Sequence, residues 1–74
     1  MEINRIGDIS AFVASVRYGS YTLAAKHLGL SRSAIGKSIV RLEEQMKVRL
    51  LNRTTRSLSL TDEGQILFDY CQQI

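Results

Sequence analysis

Seventy-four residues, 45% hydrophobic and 23% charged, suffice for one small core and not for two, since a chain this short buries only about 60% of its unfolded surface. Lysines and arginines outnumber acids by 10 to 7, and the excess is segregated: Lys26, Arg32, Lys37, Arg41, Lys47, Arg49, Arg53 and Arg56 face only Glu43 and Glu44, so that stretch is net +6 and the remainder net −3. One histidine and one cysteine offer no disulfide, nucleophile–base pair or metal-ligand spacing, and no apolar run approaches the ~20 residues of a membrane span. An enzyme, a metal centre, a cofactor, a secretion signal and a membrane anchor are therefore not expected; a soluble protein of the reducing cytoplasm is.

The first element is a helix from Asn4 to Tyr18, with Ile6, Ile9, Phe12, Val13 and Val16 as one apolar stripe, Asn4 as N-cap and Gly19 as left-handed stop. Ser20 or Thr22 caps a short second helix carrying Leu23, Ala24, Ala25 and Leu28, which Gly29 ends. Ser31 then caps a third helix reaching about Met46, with Ile35, Ile39, Leu42 and Met46 as its buried seam. From Leu50 to Leu60 the pattern becomes that of a small hairpin: Asn52-Arg53-Thr54-Thr55-Arg56 is a polar, basic turn, and Ser57-Leu58-Ser59-Leu60 alternates with period two. Thr61 caps a last helix, with Asp62 and Glu63 at the positive end of its dipole and Ile66, Leu67, Tyr70, Cys71 and Ile74 on its apolar side.

A short helix joined to a longer one by a turn this tight is a helix-turn-helix unit. Ala25 supplies the small side chain at the crossing, Gly29 the turn four residues later, and Ile35 closes the core. At ~100° per residue, with Ile35 inward, Ser33, Gly36, Lys37 and Val40 point away from the core, and Arg32 lies at the edge of that face. In such units the start of the recognition helix enters the major groove. Long cations bond guanine O6 and N7, which makes Arg32 and Lys37 the expected base readers, with Ser33 and Gly36 beside them and Val40 within reach of a thymine methyl. Gly36 costs about 1 kcal/mol relative to alanine inside a helix, so close approach of DNA is one reason for it and the loss of a former contact the other. Thr22, Ser31, Arg53, Thr54, Thr55 and Arg56 are the candidates for phosphate and minor-groove contacts. For the charged residues, the competing reading is a solvated basic surface without a partner. Tyr18 and Tyr21 are expected to finish the core, and His27 to be an exposed helix residue.

These residues, taken in order, resemble the N-terminal domain of the LysR-type transcriptional regulators. The resemblance runs through Phe12-Val13, Gly19-Ser20-Tyr21-Thr22, Ala24-Ala25-x-x-Leu28, Leu30-Ser31, Ile39-x-x-Leu42-Glu43, Leu50-Leu51-x-Arg53-Thr54-Thr55-Arg56 and Leu60-Thr61-x-x-Gly64. It implies a mainly α winged helix-turn-helix over residues 1–60: a three-helix core, a β-hairpin wing, and from 61 to 74 the start of a linker helix that pairs antiparallel with a second copy. It further implies a homodimer joined through Ile66, Leu67, Tyr70, Cys71 and Ile74, assembling to a tetramer in the full-length protein. Such a dimer binds interrupted inverted repeats of double-stranded DNA at promoters, in the cytoplasm on the nucleoid. The family's recognition contacts fall on Arg32, Ser33, Gly36 and Lys37, and its wing arginine on Arg56.

The sequence departs from the family pattern at several places. Arg32 stands for a common glutamine and Gly36 for serine, which alters base preference; Lys47 stands for a turn glycine, which lengthens or strains that turn; Tyr21 and Leu51 replace phenylalanines and keep apolar bulk. The apolar helical pattern still running at Ile74 leads one to expect a domain cut from a longer chain. Two alternatives differ in what they require. A winged helix of another family, such as a MarR-like repressor, would lack the Leu-Thr-x-x-Gly ending, and a winged helix used for protein interaction would carry apolar or acidic residues at the recognition and wing positions.

Overall fold

The computed structural model describes residues 5–53 and 58–73. Four helices and one hairpin follow in order: α1 Arg5–Tyr18, α2 Tyr21–Leu28, α3 Arg32–Met46, β1 Leu51–Arg53, β2 Leu58–Leu60 and α4 Asp62–Gln72. The strands are antiparallel, with Leu51 opposite Leu60, Asn52 opposite Ser59 and Arg53 opposite Leu58. This is the expected winged helix-turn-helix; the proposed cap Asn4 and the side chain of Ile6 lie outside the described residues.

The helix boundaries follow from local chemistry. Gly19 and Gly29 end α1 and α2 in the left-handed conformation, at φ 71° and 73°, which only glycine adopts without steric cost. Ser20, rather than Thr22, caps α2, its Oγ accepting the Leu23 N–H. Ser31 caps α3 by accepting the Ala34 N–H, and Thr61 caps α4 by accepting the Gly64 N–H.

The core gathers Phe12, Ile35, Ile39, Leu42, Leu50 and Leu51 around the small residues Ala11, Ala14, Ala24 and Ala25. On α1 Phe12 of the expected stripe is fully buried, but its branched residues Ile9, Val13 and Val16 are only partly buried, whereas Ala11 and Ser15 are fully buried. Small side chains win the inner positions because α2 and α3 both press on α1, and close helix approach leaves no room for branched ones. Ser15 satisfies its hydroxyl within the helix by donating to the Ala11 carbonyl at 2.8 Å. Two seam assignments shift for local reasons. Met46, in the last turn of α3 before the chain bends away, is 43% exposed, and Leu23 is exposed because Ala24 and Ala25 take the inward positions of α2.

Leu50 ties three elements together. Its N–H donates to Glu43 Oε2 at 2.8 Å and that of Leu51 to the same oxygen at 3.2 Å, so the carboxylate near the end of α3 fixes the entry to β1. The Leu50 carbonyl accepts the Thr61 N–H at 3.1 Å, and the Thr61 hydroxyl donates to the Arg49 carbonyl. Gly64 lies directly against the Leu50 peptide: a Cβ there would stand 2.0 Å from the Leu50 carbonyl oxygen. The Thr-x-x-Gly spacing thus caps α4 and presses its first turn on the β1 entry at once. Further along α4, Phe68 meets Phe12 edge to face with centroids 6.5 Å apart, and Arg17 donates to Gln72 at 2.7 Å.

Lys47 ends α3 in the left-handed conformation at φ 61°, donating its N–H to the Glu43 carbonyl. The conformation costs an L-residue about 1–2 kcal/mol, whereas glycine adds about 0.5–1 kcal/mol of unfolded-state entropy, so the strain outweighs the entropy. Lys47→Gly is expected to raise stability by about 0.5–1 kcal/mol in denaturant titrations; an unchanged or lower midpoint would show the turn to be unstrained. Gly64→Ala, by contrast, forces a methyl into backbone and should cost about 3 kcal/mol, the upper end for overpacking.

Candidate nucleic-acid interface

The candidate surface is assembled by the α2–α3 turn. The Gly29 and Leu30 N–H groups both return to the Ala25 carbonyl, which closes α2 and redirects the chain within two residues. Ser31 then restarts the helix, so α3 crosses α2 on the small side chains of Ala24 and Ala25. Ile35 and Ile39 are fully buried, which settles the rotation of α3: Arg32, Ser33, Lys37 and Val40 are exposed and Gly36 is partly exposed. The four residues expected to read bases therefore share one surface at the N-terminal half of α3.

The electrostatics of that surface are one-sided. The first turns of α2 and α3 contain no acidic residue, so the positive ends of both helix dipoles act beside Arg32 and Lys37 without local compensation. Thr22 is exposed in the first turn of α2, and Tyr21 Cε2 comes within 3.8 Å of where a Gly36 Cβ would stand, which brings the start of α2 against this face of α3. Ser31 is exposed too, but its oxygen already accepts the capping bond.

Two cations of the basic stretch are paired with carboxylates of the domain itself. Arg41 turns back to α1, where its Nη2 and Nε donate to Asp8 at 2.8 and 3.1 Å and Nη2 also donates to Ser38 at 3.3 Å. Asp8 is buried, and the paired carboxylate pushes the Arg41 pKa above its ordinary value. Arg49 Nε stands 3.9 Å from Glu43, and its Nη2 donates to the Leu51 carbonyl at 3.4 Å. Sequence reasoning counted both arginines in the basic stretch without giving them partners. The signal that separates them is helical spacing: Asp8 falls one turn before Ala11 and Phe12, and Glu43 four residues after Ile39, so both carboxylates sit on buried stripes.

Arg53 ends β1, while Thr54, Thr55 and Arg56, the remaining wing candidates, lie outside the described residues, as does Ile74. The other candidates for self-association divide. Ile66 and Tyr70 are 70% and 65% exposed and, with Met46, Val48, Glu63 and Leu67, line an open, apolar groove of about 330 Å³. Leu67 also packs on the core, and Cys71 faces Ile9, Val13 and Arg17 of its own α1, where burial pushes the thiol pKa up. Phe68, which sequence reasoning left out, supplies the inward contact instead. Tyr18 is exposed and pairs with the His27 ring at 4.8 Å. Among the described residues no group of three histidine, cysteine or carboxylate side chains converges as a metal site, and no helix is long and apolar enough to cross a membrane.

Residues 6–65 match the family described as bacterial regulatory helix-turn-helix protein, lysR family. The HTH-type transcriptional activator AaeR of Escherichia coli K12 is 39% identical over 72 residues, covering 97% of this chain and 23% of that protein. The HTH-type transcriptional regulator CrgA of Neisseria meningitidis serogroup C is 46% identical over 67 residues, 90% of this chain and 22% of its own length. The chain thus spans about a quarter of the length of the curated relatives it matches. Among solved structures, the BenM_DBD/catB site 1 DNA complex superposes with a TM-score of 0.86 at 32% identity, covering 99% of this chain and 78% of that one. Full-length AphB of Vibrio cholerae, a virulence activator, gives 0.88 at 33% identity, covering 99% of this chain and 24% of its own.

If Arg41 serves the scaffold and not the duplex, Arg41→Gln should lower the denaturation midpoint by stranding buried Asp8, while leaving the salt dependence of DNA binding unchanged. A shallower salt slope at unchanged stability would return Arg41 to the interface.

Proposed function

The chain belongs to the lysR family of bacterial regulatory helix-turn-helix proteins, whose members matched here are transcription regulators and not enzymes, and from that premise we propose that it binds double-stranded DNA sequence-specifically as a homodimer. The observation that carries this reading is the exposed face of Arg32, Ser33, Gly36 and Lys37, held opposite fully buried Ile35 and Ile39 at the acid-free start of α3.

On this reading α3 enters the major groove by its N-terminal half. Arg32 and Lys37 donate to guanine O6 and N7, each good contact discriminating by about 1–3 kcal/mol. Ser33 reaches a base edge, and Gly36 lets the backbone approach. Thr22, Ser31, Arg53, Thr54, Thr55 and Arg56 hold phosphates or the minor groove, which fixes register without reading sequence. Glu44, exposed two turns further along α3, has left the phosphates by then and does not repel them.

Specific sites need two such domains. The groove between Met46, Val48, Ile66 and Tyr70 fits a second copy of α4, since an isologous pairing buries the same apolar strip on both sides. Two domains so related read an interrupted inverted repeat at a promoter, in the cytoplasm on the nucleoid, and the full-length protein assembles further to a tetramer.

Selection of bound fragments from random duplex DNA tests the reading directly. Retention that falls steeply with salt and converges on an inverted repeat is expected; no enrichment, or salt-independent retention, would defeat it. Arg32→Ala and Lys37→Ala should change the preferred sequence, whereas Arg56→Ala should weaken all sequences alike and reduce the salt slope by about 1. Ile66→Lys combined with Tyr70→Lys should yield monomers in sedimentation, and an unaltered profile would exclude that strip as the seam.

A further inference from the structure

Nothing among the described residues demands a glycine at position 36. Its backbone is helical, and among the described residues the only atom within 4 Å of an added Cβ, beyond the helix's own backbone and its chain neighbours, is Tyr21 Cε2 at 3.8 Å, an ordinary contact. Glycine weakens a helix interior, so its presence on the exposed side of α3 calls for a reason outside α3 itself. The neighbouring ring supplies one.

Tyr21 opens α2 directly after the Ser20 cap, and its ring is half-buried with one side packed against the core. The atom that reaches Gly36 belongs to the distal half of the ring, next to the carbon that carries the hydroxyl. A side chain at position 36 would stand beside that edge and cover it from whatever meets α3. With hydrogen there instead, the Tyr21 edge adjoins the one position without a side chain on a stretch of α3 where Ser33 and Lys37 are both exposed.

We propose that Tyr21 is a specificity-determining residue of the duplex-reading face, its distal ring edge taking the place of the side chain that α3 lacks at position 36. The inference rests on the DNA-binding reading above. An aromatic edge carries partial positive charge on its C–H groups, a chemistry suited to apolar contact with thymine methyls and to the acceptor atoms of the groove. One base step is then read by α2 across a gap in α3.

The test compares the dimeric protein with Tyr21→Phe, Tyr21→Leu, Gly36→Ala and the Tyr21→Leu/Gly36→Ala double variant, each first checked by thermal melting. All are selected against random duplexes and titrated on the wild-type site and its point-substituted versions. Tyr21→Leu is expected to flatten preference at one base step by about tenfold, the size of one lost contact, leaving the positions governed by Lys37 intact. Gly36→Ala should flatten the same step, and the double variant should be no worse than either single one, because both remove one contact. Tyr21→Phe keeps the ring edge and should keep the preference. Unchanged preference in Tyr21→Leu, or losses that simply add, would overturn the proposal. Should Tyr21→Leu fail to melt cooperatively, Gly36→Ala carries the comparison, and an unchanged preference in it would overturn the proposal. A wild-type protein that enriches no sequence would instead overturn DNA reading itself, and this inference with it.

Discussion

The peptide unit of Leu50 is the constraint on which the remaining architecture depends. Its N–H is held by the Glu43 carboxylate, its carbonyl by the Thr61 N–H, and its far side by the bare Cα of Gly64. A single buried backbone segment therefore sets the distance between the end of α3, the hairpin and the start of α4. Unmet, a buried N–H costs about 1–3 kcal/mol. That penalty gives a carboxylate near the end of α3 authority over the entry to β1, and ties the position of the hairpin to that of α3.

Charge in this domain is divided between two tasks. Asp8 and Glu43 are buried and hold α3 and its exit, with the exposed Arg41 and Arg49 as their partners. Arg32 and Lys37, with no acid in the first turns around them, stay at the surface. The division follows from helical phase: a cation one side of α3 meets a buried carboxylate of α1, and a cation on the other meets solvent. Net charge thus overstates the electrostatic footprint, because part of the basic stretch is offset by carboxylates of the same domain.

The helix-turn-helix pairing requires two helices to cross closely, and closeness is obtained by subtraction. Ala24 and Ala25 on α2, Ala11 and Ser15 on α1 and Gly64 on α4 are each placed where a neighbour's backbone or packed side chain leaves no space. Gly36 is different in kind, since it faces outward and room exists beside it. The same residue type is required by packing at one position and not at the other, and only the surroundings tell them apart.

What the sequence determined by itself was every element and nearly every boundary. Caps and stops are local: Ser20, Ser31 and Thr61 act on N–H groups three residues on, and Gly19 and Gly29 act through their own φ. Periodicity likewise placed Ile35 inward and so turned Arg32, Ser33 and Lys37 outward, because helical phase needs no partner to be read. Tertiary structure alone decided the rest. That Asp8 pairs with Arg41 across 33 positions, that Glu43 holds Leu50, that Phe68 rather than Ile66 faces the core, and that Tyr21 lies over Gly36 all depend on where separate helices come to rest. Such contacts join residues distant in the chain, and their choice is made by packing and by the cost of stranding buried charge, neither of which is a property of any local stretch.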